Sequence, residues 1–188
     1  MAGLLPEEAH LVGHSSGAVA AVLAAALRPR AVLSLTLCEP PAFQLASGSV
    51  PAQQMASDLE KHLRKAGDDA QWLRGFLAIV GCSVVIPDRL PSSLAQGVQA
   101  VRAIRRLPWE AELPVDTLAA ASFPKLVISG NHSRFRGCLR CPDGQPASPA
   151  SLRHRRRHAT PETGDAFNGT LAAFIQGAGV SGQQVQDR

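Results

Sequence analysis

The sequence predicts an α/β fold in which a parallel sheet carries helices on both faces. Three observations lead to this prediction: a short apolar run at residues 9–13, an alanine-rich run at 16–27, and a second apolar run at 31–38. Strand, helix and strand within about 30 residues form a βαβ unit, which joins parallel strands. The chain has 188 residues, of which 45% are hydrophobic, and this fits one domain with a packed core.

Each element of this unit has its own signal. Residues 9–13 (AHLVG) are apolar and short, as a buried strand is. Residues 16–27 are small and alanine-rich, which suits a helix that packs closely on a sheet. Residues 31–38 (AVLSLTLC) are rich in branched apolar side chains, which favours a second strand, and Pro40 and Pro41 end it.

Residues 42–115 are predicted to form a lid-like helical insertion. Apolar side chains recur there at helical spacing in three groups: Met55, Leu59 and Leu63; Trp72, Leu73, Phe76, Leu77 and Val80; and Leu94, Val98, Val101 and Ile104. Asp68 or Asp69 is a candidate cap for the second helix, and Pro91 begins the third. Two alternatives stay open: helices that simply cover the sheet, and aromatic side chains that line an apolar pocket or only fill the core.

The last third of the chain is divided by an arginine-rich segment. A strand is predicted at 123–130 and an amphipathic helix at 164–176, followed by a frayed tail from Gly177. The segment 134–157 holds seven arginines and one aspartate, and the rest of the chain has a net charge of −2. The basicity therefore belongs to one irregular segment, and we expect no nucleic-acid partner.

No targeting or membrane segment is indicated. Residues 1–8 contain two glutamates and no basic region, which argues against a signal peptide. No apolar run reaches about 18 residues. We therefore expect a cytoplasmic chain with no membrane partner. The cysteines, at positions 38, 82, 138 and 141, do not suggest a disulfide framework.

Residues 13–17 read Gly-His-Ser-Ser-Gly, a G-x-S-x-G motif between the first strand and the first helix. This is the setting of a nucleophile elbow, where a sharp turn holds the serine hydroxyl at the carboxyl end of the strand. Ser15 is the candidate nucleophile, and the backbone N–H of Ser16 points to where an oxyanion would form. Gly13 and Gly17 are predicted to remove side chains where strand and helix meet. The alternative is a small-residue turn without chemistry.

The stretch HLVGHSSGAVAAVLAAALRPRAVLSLTLCEPPAF resembles the central part of α/β-hydrolase-fold proteins. The likeness continues in FPKLVISGNHS and HATPETGDAFNGTLAAFI, and it covers roughly residues 8–133 and 158–177. The resemblance implies a partial α/β-hydrolase fold and a serine hydrolase that cleaves an ester or related acyl substrate. It implies a small-molecule partner and neither cofactor nor metal.

The family's triad follows the chain order serine, carboxylate, histidine. The resemblance implies His158 as the base, because it lies shortly before the last helix. The loop after the strand at 123–130 begins with Asn131 and carries no carboxylate, which departs from the usual pattern. Some members place the acid after an earlier strand instead, which here implies Glu39. The predicted catalytic residues are thus Ser15, Glu39 and His158.

In the resembled family the elbow follows several strands, and a loop among them supplies a second oxyanion donor. Only residues 1–8 precede the first strand here, so we expect an N-terminally truncated, incomplete domain. A catalytically inactive hydrolase remnant is therefore an alternative function. Prolines 146 and 149 oppose a strand within 146–157, where the family has its last one. One hypothesis is that residues 134–157 are out-of-frame translation; a natural arginine-rich linker is the other.

A second alternative uses the same segment. Cys138, Cys141, His154 and His158 have the spacing of a C2H2 zinc finger, which would suit a zinc- and nucleic-acid-binding protein. The finger's apolar core is missing, and prolines interrupt its hairpin and helix start. We therefore expect no metal there. The two interpretations compete for His158.

Overall fold

The computed structural model describes residues 2–82, 84–130, 151–154 and 164–186, which contain four strands and six α-helices. The strands are β1 (Ala9–His14), β2 (Val32–Cys38), β3 (Lys125–Gly130) and β4 (Ser151–His154). The helices are α1 (Ser16–Leu27), α2 (Val50–Leu63), α3 (Asp69–Val80), α4 (Ser92–Arg102), α5 (Val115–Ala120) and α6 (Asp165–Gln186). Single 3-10 turns cover Ala2–Leu4, Pro29–Ala31, Phe43–Ala46 and Pro108–Glu110.

The four strands form one parallel sheet in the order β1-β2-β3-β4. His14 pairs with Cys38, and Cys38 pairs with Ile128, so the ends of β1 and β2 lie at the same level. Carboxyl ends of parallel strands share one edge of a sheet, where α/β proteins place their sites. The predicted parallel sheet is confirmed, and its first two strands bring residues 14–15 and 38–39 to one place.

Helices cover both faces of this sheet because β2 is apolar on both sides. Leu35 packs with Ala21 and Ala25 of α1, and Leu118 of α5 joins that cluster. On the other face, Leu126, Ile128 and Cys38 pack with two side chains of α6, Phe167 and Phe174. Alternate strand residues point to opposite faces, and a strand buried on both faces reads as a continuous apolar run.

Residues Ala42–Glu110 form a compact unit of their own, built from α2, α3 and α4. Asp68 caps α3, since its carboxylate accepts hydrogen bonds from the backbone N–H groups of Ala70 and Gln71. Trp72 is 4% exposed and stacks on Phe76 with ring centroids 5.5 Å apart. The three predicted helices are confirmed, and these aromatic side chains belong to the core of this unit. Its role as a lid stays a prediction.

One prediction about the arginine-rich segment is wrong. Ser151–His154 forms β4, although no strand was expected within 146–157. The strand is parallel to β3, with Ser151 opposite Val127 and His154 opposite Gly130. Pairing with β3 supplies backbone hydrogen bonds that local composition does not reveal. It occupies the last place in the described strand order, and a sheet edge tolerates nearby prolines best.

The final helix is longer than predicted. The expected frayed tail from Gly177 instead continues α6 to Gln186. Helix growth is cooperative, and each residue added to an existing helix forms one more backbone hydrogen bond. Even so, within the part of the chain that the structure describes, no helix combines the length and the apolar character needed to cross a membrane.

Candidate active site

Ser15 forms the turn between β1 and α1. Its backbone has φ 52° and ψ −127°. This lies in the left-handed half of the Ramachandran map, where φ is positive, which residues other than glycine seldom adopt. Its N–H donates a 2.9 Å hydrogen bond to the Cys38 carbonyl, and its own carbonyl accepts one from the Ala18 N–H. The β1–β2 ladder therefore continues to Ser15, and the chain turns sharply there into α1.

The side chain of Ser15 does not cap the helix that follows. Serine at this position normally accepts a hydrogen bond from an N–H of the first turn, and its backbone is then extended. Ser15 has a left-handed backbone and makes no side-chain cap bond. A residue held in such a conformation costs on the order of 1–3 kcal/mol. A capping role does not account for this strain, which disfavours the small-residue turn without chemistry.

Gly13 is required where β1 and α1 cross. A Cβ atom at Gly13 would lie 2.5 Å from the Gly17 carbonyl oxygen and 2.6 Å from the Cα atom of Ala18. Gly17 itself is exposed, and among the described residues nothing lies within 4 Å of the place its Cβ would take. The prediction that both glycines make room at this crossing is correct for Gly13. It is wrong for Gly17, which faces outward from the first turn of α1.

Glu39 occupies the corresponding place at the end of β2. It also has a left-handed backbone, with φ 47°, and its N–H donates a 2.8 Å hydrogen bond to the Ile128 carbonyl. Among the described residues other than glycine, Ser15 and Glu39 are the two with positive φ. Strained backbone clusters at functional sites. The two residues predicted as nucleophile and acid are thus the two strained residues, on neighbouring strand ends.

His14 contacts Glu39 directly. The His14 Nε2 atom lies 3.5 Å from Glu39 Oε2, with side chains 50% and 14% exposed, respectively. No role was predicted for His14 from the sequence. The parallel register that places His14 beside Cys38 is the signal that would have found the contact, because Glu39 directly follows Cys38.

The charge of Glu39 also affects the thiol next to it. Burial raises the pKa of Cys38 from its ordinary 9.0 to about 11, and the negative charge of Glu39 adds to the shift. Cys38 is fully buried and packs with Leu126 and Ile128. At neutral pH it is therefore an uncharged part of the core, and it is a poor candidate for a nucleophile.

The other predicted site residues are only partly described. Ser16 is the first residue of α1, so its N–H has no acceptor within the helix and suits an oxyanion donor. His158 lies outside the described residues, as does Asn131.

Of the four residues with zinc-finger spacing, one lies in the described part of the chain. Cys138 and Cys141 lie outside the described residues, whereas His154 is the last residue of β4. A C2H2 finger is a ββα unit whose histidines come from its helix. A strand at His154 does not fit that arrangement. Within the described ranges, no group of three or more histidine, cysteine or carboxylate side chains is placed to hold a metal ion.

A serine and a histidine are in contact within the same two strands. His10 Nδ1 and Ser34 Oγ are 2.8 Å apart, at paired positions of β1 and β2. Ser34 is 1% exposed and lies inside a regular strand. A substrate cannot reach this hydroxyl, so the pair stabilises the sheet and is not a second reactive site.

The described architecture matches solved structures of one fold. A haloalkane dehalogenase loop variant from Bradyrhizobium elkanii is 19% identical, with a TM-score of 0.53 over 95% of this chain and 70% of that one. Proline iminopeptidase from Mycobacterium smegmatis is 19% identical, with a TM-score of 0.53 over 96% of this chain and 69% of that one. A probable hydrolytic enzyme from Pseudomonas aeruginosa PAO1 is 16% identical, with a TM-score of 0.50 over 89% and 63%. The chain therefore has the α/β-hydrolase fold, as its resemblance implied.

It spans about 70% of the length of the first two of these structures. A scan against protein-family models finds no match, and neither does a search of curated proteins.

Proposed function

We propose that this chain is a serine hydrolase that cleaves an ester or a related acyl substrate. Ser15 is the nucleophile, His158 the base and Glu39 the acid, and the Ser16 N–H is an oxyanion donor. The fold supports hydrolysis only as a class, because one fold hosts many activities. The similar structures illustrate this, since their names give different activities: haloalkane dehalogenase and proline iminopeptidase.

The observation that carries the proposal is the pair of left-handed residues at neighbouring strand ends. Ser15 and Glu39 each follow a strand, and each continues the backbone ladder with its N–H before the chain turns. Two such turns side by side hold a hydroxyl and a carboxylate at the edge of the sheet where α/β sites form. A histidine between them would accept the serine proton and be held by the carboxylate.

The reaction follows from these roles. His158 takes the proton of the Ser15 hydroxyl while Oγ bonds to the substrate carbonyl carbon, and the Ser16 N–H stabilises the resulting oxyanion. The bond to the leaving alkoxide then breaks, and His158 returns the proton to it, which leaves an acyl-serine and an alcohol. His158 takes a proton from water as the water oxygen attacks the acyl carbon. The bond from that carbon to Ser15 Oγ then breaks, His158 returns the proton to Oγ, and the carboxylic acid leaves. Glu39 orients the imidazole and stabilises its protonated form.

A fluorophosphonate probe tests the nucleophile directly, since it reacts with activated serine hydroxyls. Folded wild-type chain should gain one adduct, which peptide mapping by mass spectrometry should place on Ser15 and not on Ser16. Ser15→Ala should abolish labelling. Ser34→Ala is the matched control, because it removes a serine hydroxyl that contacts a histidine inside the sheet, and it should label as wild type does. No adduct on a wild-type chain shown to be folded by circular dichroism would contradict the proposal.

A further inference from the structure

We propose that His14 is a positioning residue that holds the Glu39 carboxylate in place for the base. The proposal rests on the proposed hydrolase function. It gives a role to a residue of the G-x-S-x-G motif that the triad does not use. His14 Nε2 lies 3.5 Å from Glu39 Oε2, within reach of charge pairing but longer than a typical hydrogen bond. Such contacts in free enzymes often tighten only when substrate binds.

The backbone fixes this contact. His14 pairs with Cys38 in the parallel register, and Glu39 is the next residue along β2. The left-handed backbone of Glu39 redirects the chain just beyond that pair. A glutamate side chain has several rotamers, and a contact from the neighbouring strand favours one of them. His14 belongs to a regular strand, so its backbone holds the imidazole next to Glu39.

The burial of the two side chains favours the pairing. Glu39 is 14% exposed, so water solvates its carboxylate poorly, whereas half of the His14 side chain stays exposed. A poorly solvated carboxylate is costly unless other groups donate to it or carry opposite charge. An imidazole N–H donates to a carboxylate in its neutral form and pairs with it more strongly when protonated.

The contact also suits the chemistry of a triad. A carboxylate has two acceptor oxygens, and the contact with His14 is made by Oε2. A carboxylate can accept several hydrogen bonds, so a base can donate to it while His14 contacts Oε2. His14 thus restricts rotation of the carboxylate without replacing the base. Orientation of this kind matters because a misplacement of about 1 Å can cost on the order of 100-fold in rate.

His10 provides the internal comparison. It lies four residues earlier on the same face of β1, and its partner is the Ser34 hydroxyl rather than a carboxylate. Its removal therefore perturbs the same strand without touching Glu39. An effect of His14 that His10 does not share would come from the contact with Glu39 and not from the loss of any histidine on this strand.

The test compares His14→Leu, His14→Gln and the control His10→Gln, using hydrolysis of p-nitrophenyl butyrate and the rate of fluorophosphonate labelling. His14→Leu should lower kcat and the labelling rate about 10- to 100-fold, with KM changed less than about threefold. His14→Gln keeps an N–H donor near the position of Nε2 and should recover most of the loss. His10→Gln should stay within about twofold of wild type.

A double-mutant cycle separates positioning from a general structural role. In a Glu39→Gln background, His14→Leu should lower kcat by less than about twofold further, because the carboxylate through which His14 acts is already gone. An unchanged kcat in His14→Leu, no recovery in His14→Gln, or a full additional loss in the Glu39→Gln background would overturn the proposal. A folded wild-type chain that neither labels nor turns over substrate would instead overturn the proposed function, and this proposal with it.

Discussion

Strands β1 and β2 place a histidine against a polar side chain at two levels, and only one of the two places has the features of an active site. In the middle of the strands, His10 and Ser34 approach to 2.8 Å. At the carboxyl ends, Ser15 lies beside the contact of His14 with Glu39, which is 3.5 Å long. The contact in the middle of the strands is the shorter of the two.

The backbone separates these two regions. Ser34 is 1% exposed and sits in a regular strand, where its hydroxyl serves only the neighbouring strand. Ser15 and Glu39 have left-handed backbones that no cap or glycine explains, and they lie at the sheet edge where parallel strands end. Location and backbone strain therefore distinguish a candidate active site from a structural pair, and residue type and distance do not.

Of the changes that test this comparison, Glu39→Gln should have the largest effect on turnover. The amide keeps the size of the side chain but cannot stabilise a protonated imidazole, so turnover should fall on the order of 10²- to 10⁴-fold. Steady-state hydrolysis of p-nitrophenyl butyrate gives the measurement, with folding checked by circular dichroism.

Asn131→Ala is the control for Glu39→Gln, since Asn131 follows β3 in the sequence, at the position where the resemblance implies that the acid is more often found. Turnover of this variant should stay within about threefold of wild type. Equal losses in the two variants would show that the acid lies elsewhere, and the strained turn at Glu39 would then need another explanation.

The strands and the helix of this site could be predicted because their sequence patterns are local. The apolar runs and the alanine-rich stretch predict β1, α1 and β2 nearly to the residue, because strand and helix periodicity depend on neighbours in sequence. The G-x-S-x-G motif likewise placed Ser15 at the turn. Glu39 was selected through the family resemblance and the preference of α/β sites for strand ends.

The features that were not predicted depend on contacts between residues that are far apart in the sequence. β4 exists because β3 offers a parallel partner, and the composition of residues 151–154 carries no sign of that partner. The His14–Glu39 contact and the His10–Ser34 pair depend on the register between β1 and β2. The outward direction of Gly17 depends on how α1 crosses β1, which periodicity does not specify.

The next largest expected effect concerns the stability of the chain at high pH, which depends on the thiol of Cys38 next to Glu39. Its pKa is raised from 9.0 to about 11, first by burial and then by Glu39, so the folded chain keeps the thiol neutral where the unfolded chain ionises it. The contribution of Cys38 to stability should thus be complete below about pH 9 and decline as the pH rises to about 11. The full decline is on the order of 2–3 kcal/mol.

Urea unfolding at several pH values between 8 and 11 measures this decline, with Cys38→Ala as the reference that lacks the thiol. The free energy of unfolding of wild type should fall toward that of the variant as the pH rises. In Glu39→Gln the decline should be smaller but should keep more than half of its size, because burial is the larger cause. A wild-type curve parallel to that of Cys38→Ala would show that the thiol ionises equally in both states, and that neither burial nor Glu39 affects it.

The smallest expected effect concerns the pair in the middle of the strands. Ser34→Ala removes the hydroxyl that contacts His10 Nδ1, and a hydrogen bond of this kind contributes about 0.5–1.5 kcal/mol to stability. For a chain of this size the midpoint of thermal unfolding should fall by roughly 2–4 °C per kcal/mol.

Turnover and labelling below that midpoint should stay within about twofold of wild type, because Ser34 is 1% exposed and no substrate reaches it. A variant that unfolds as wild type does, yet loses labelling, would reverse the assignment and make Ser34 the reactive serine. A loss of stability without a loss of labelling would establish that the contact between His10 and Ser34 is structural.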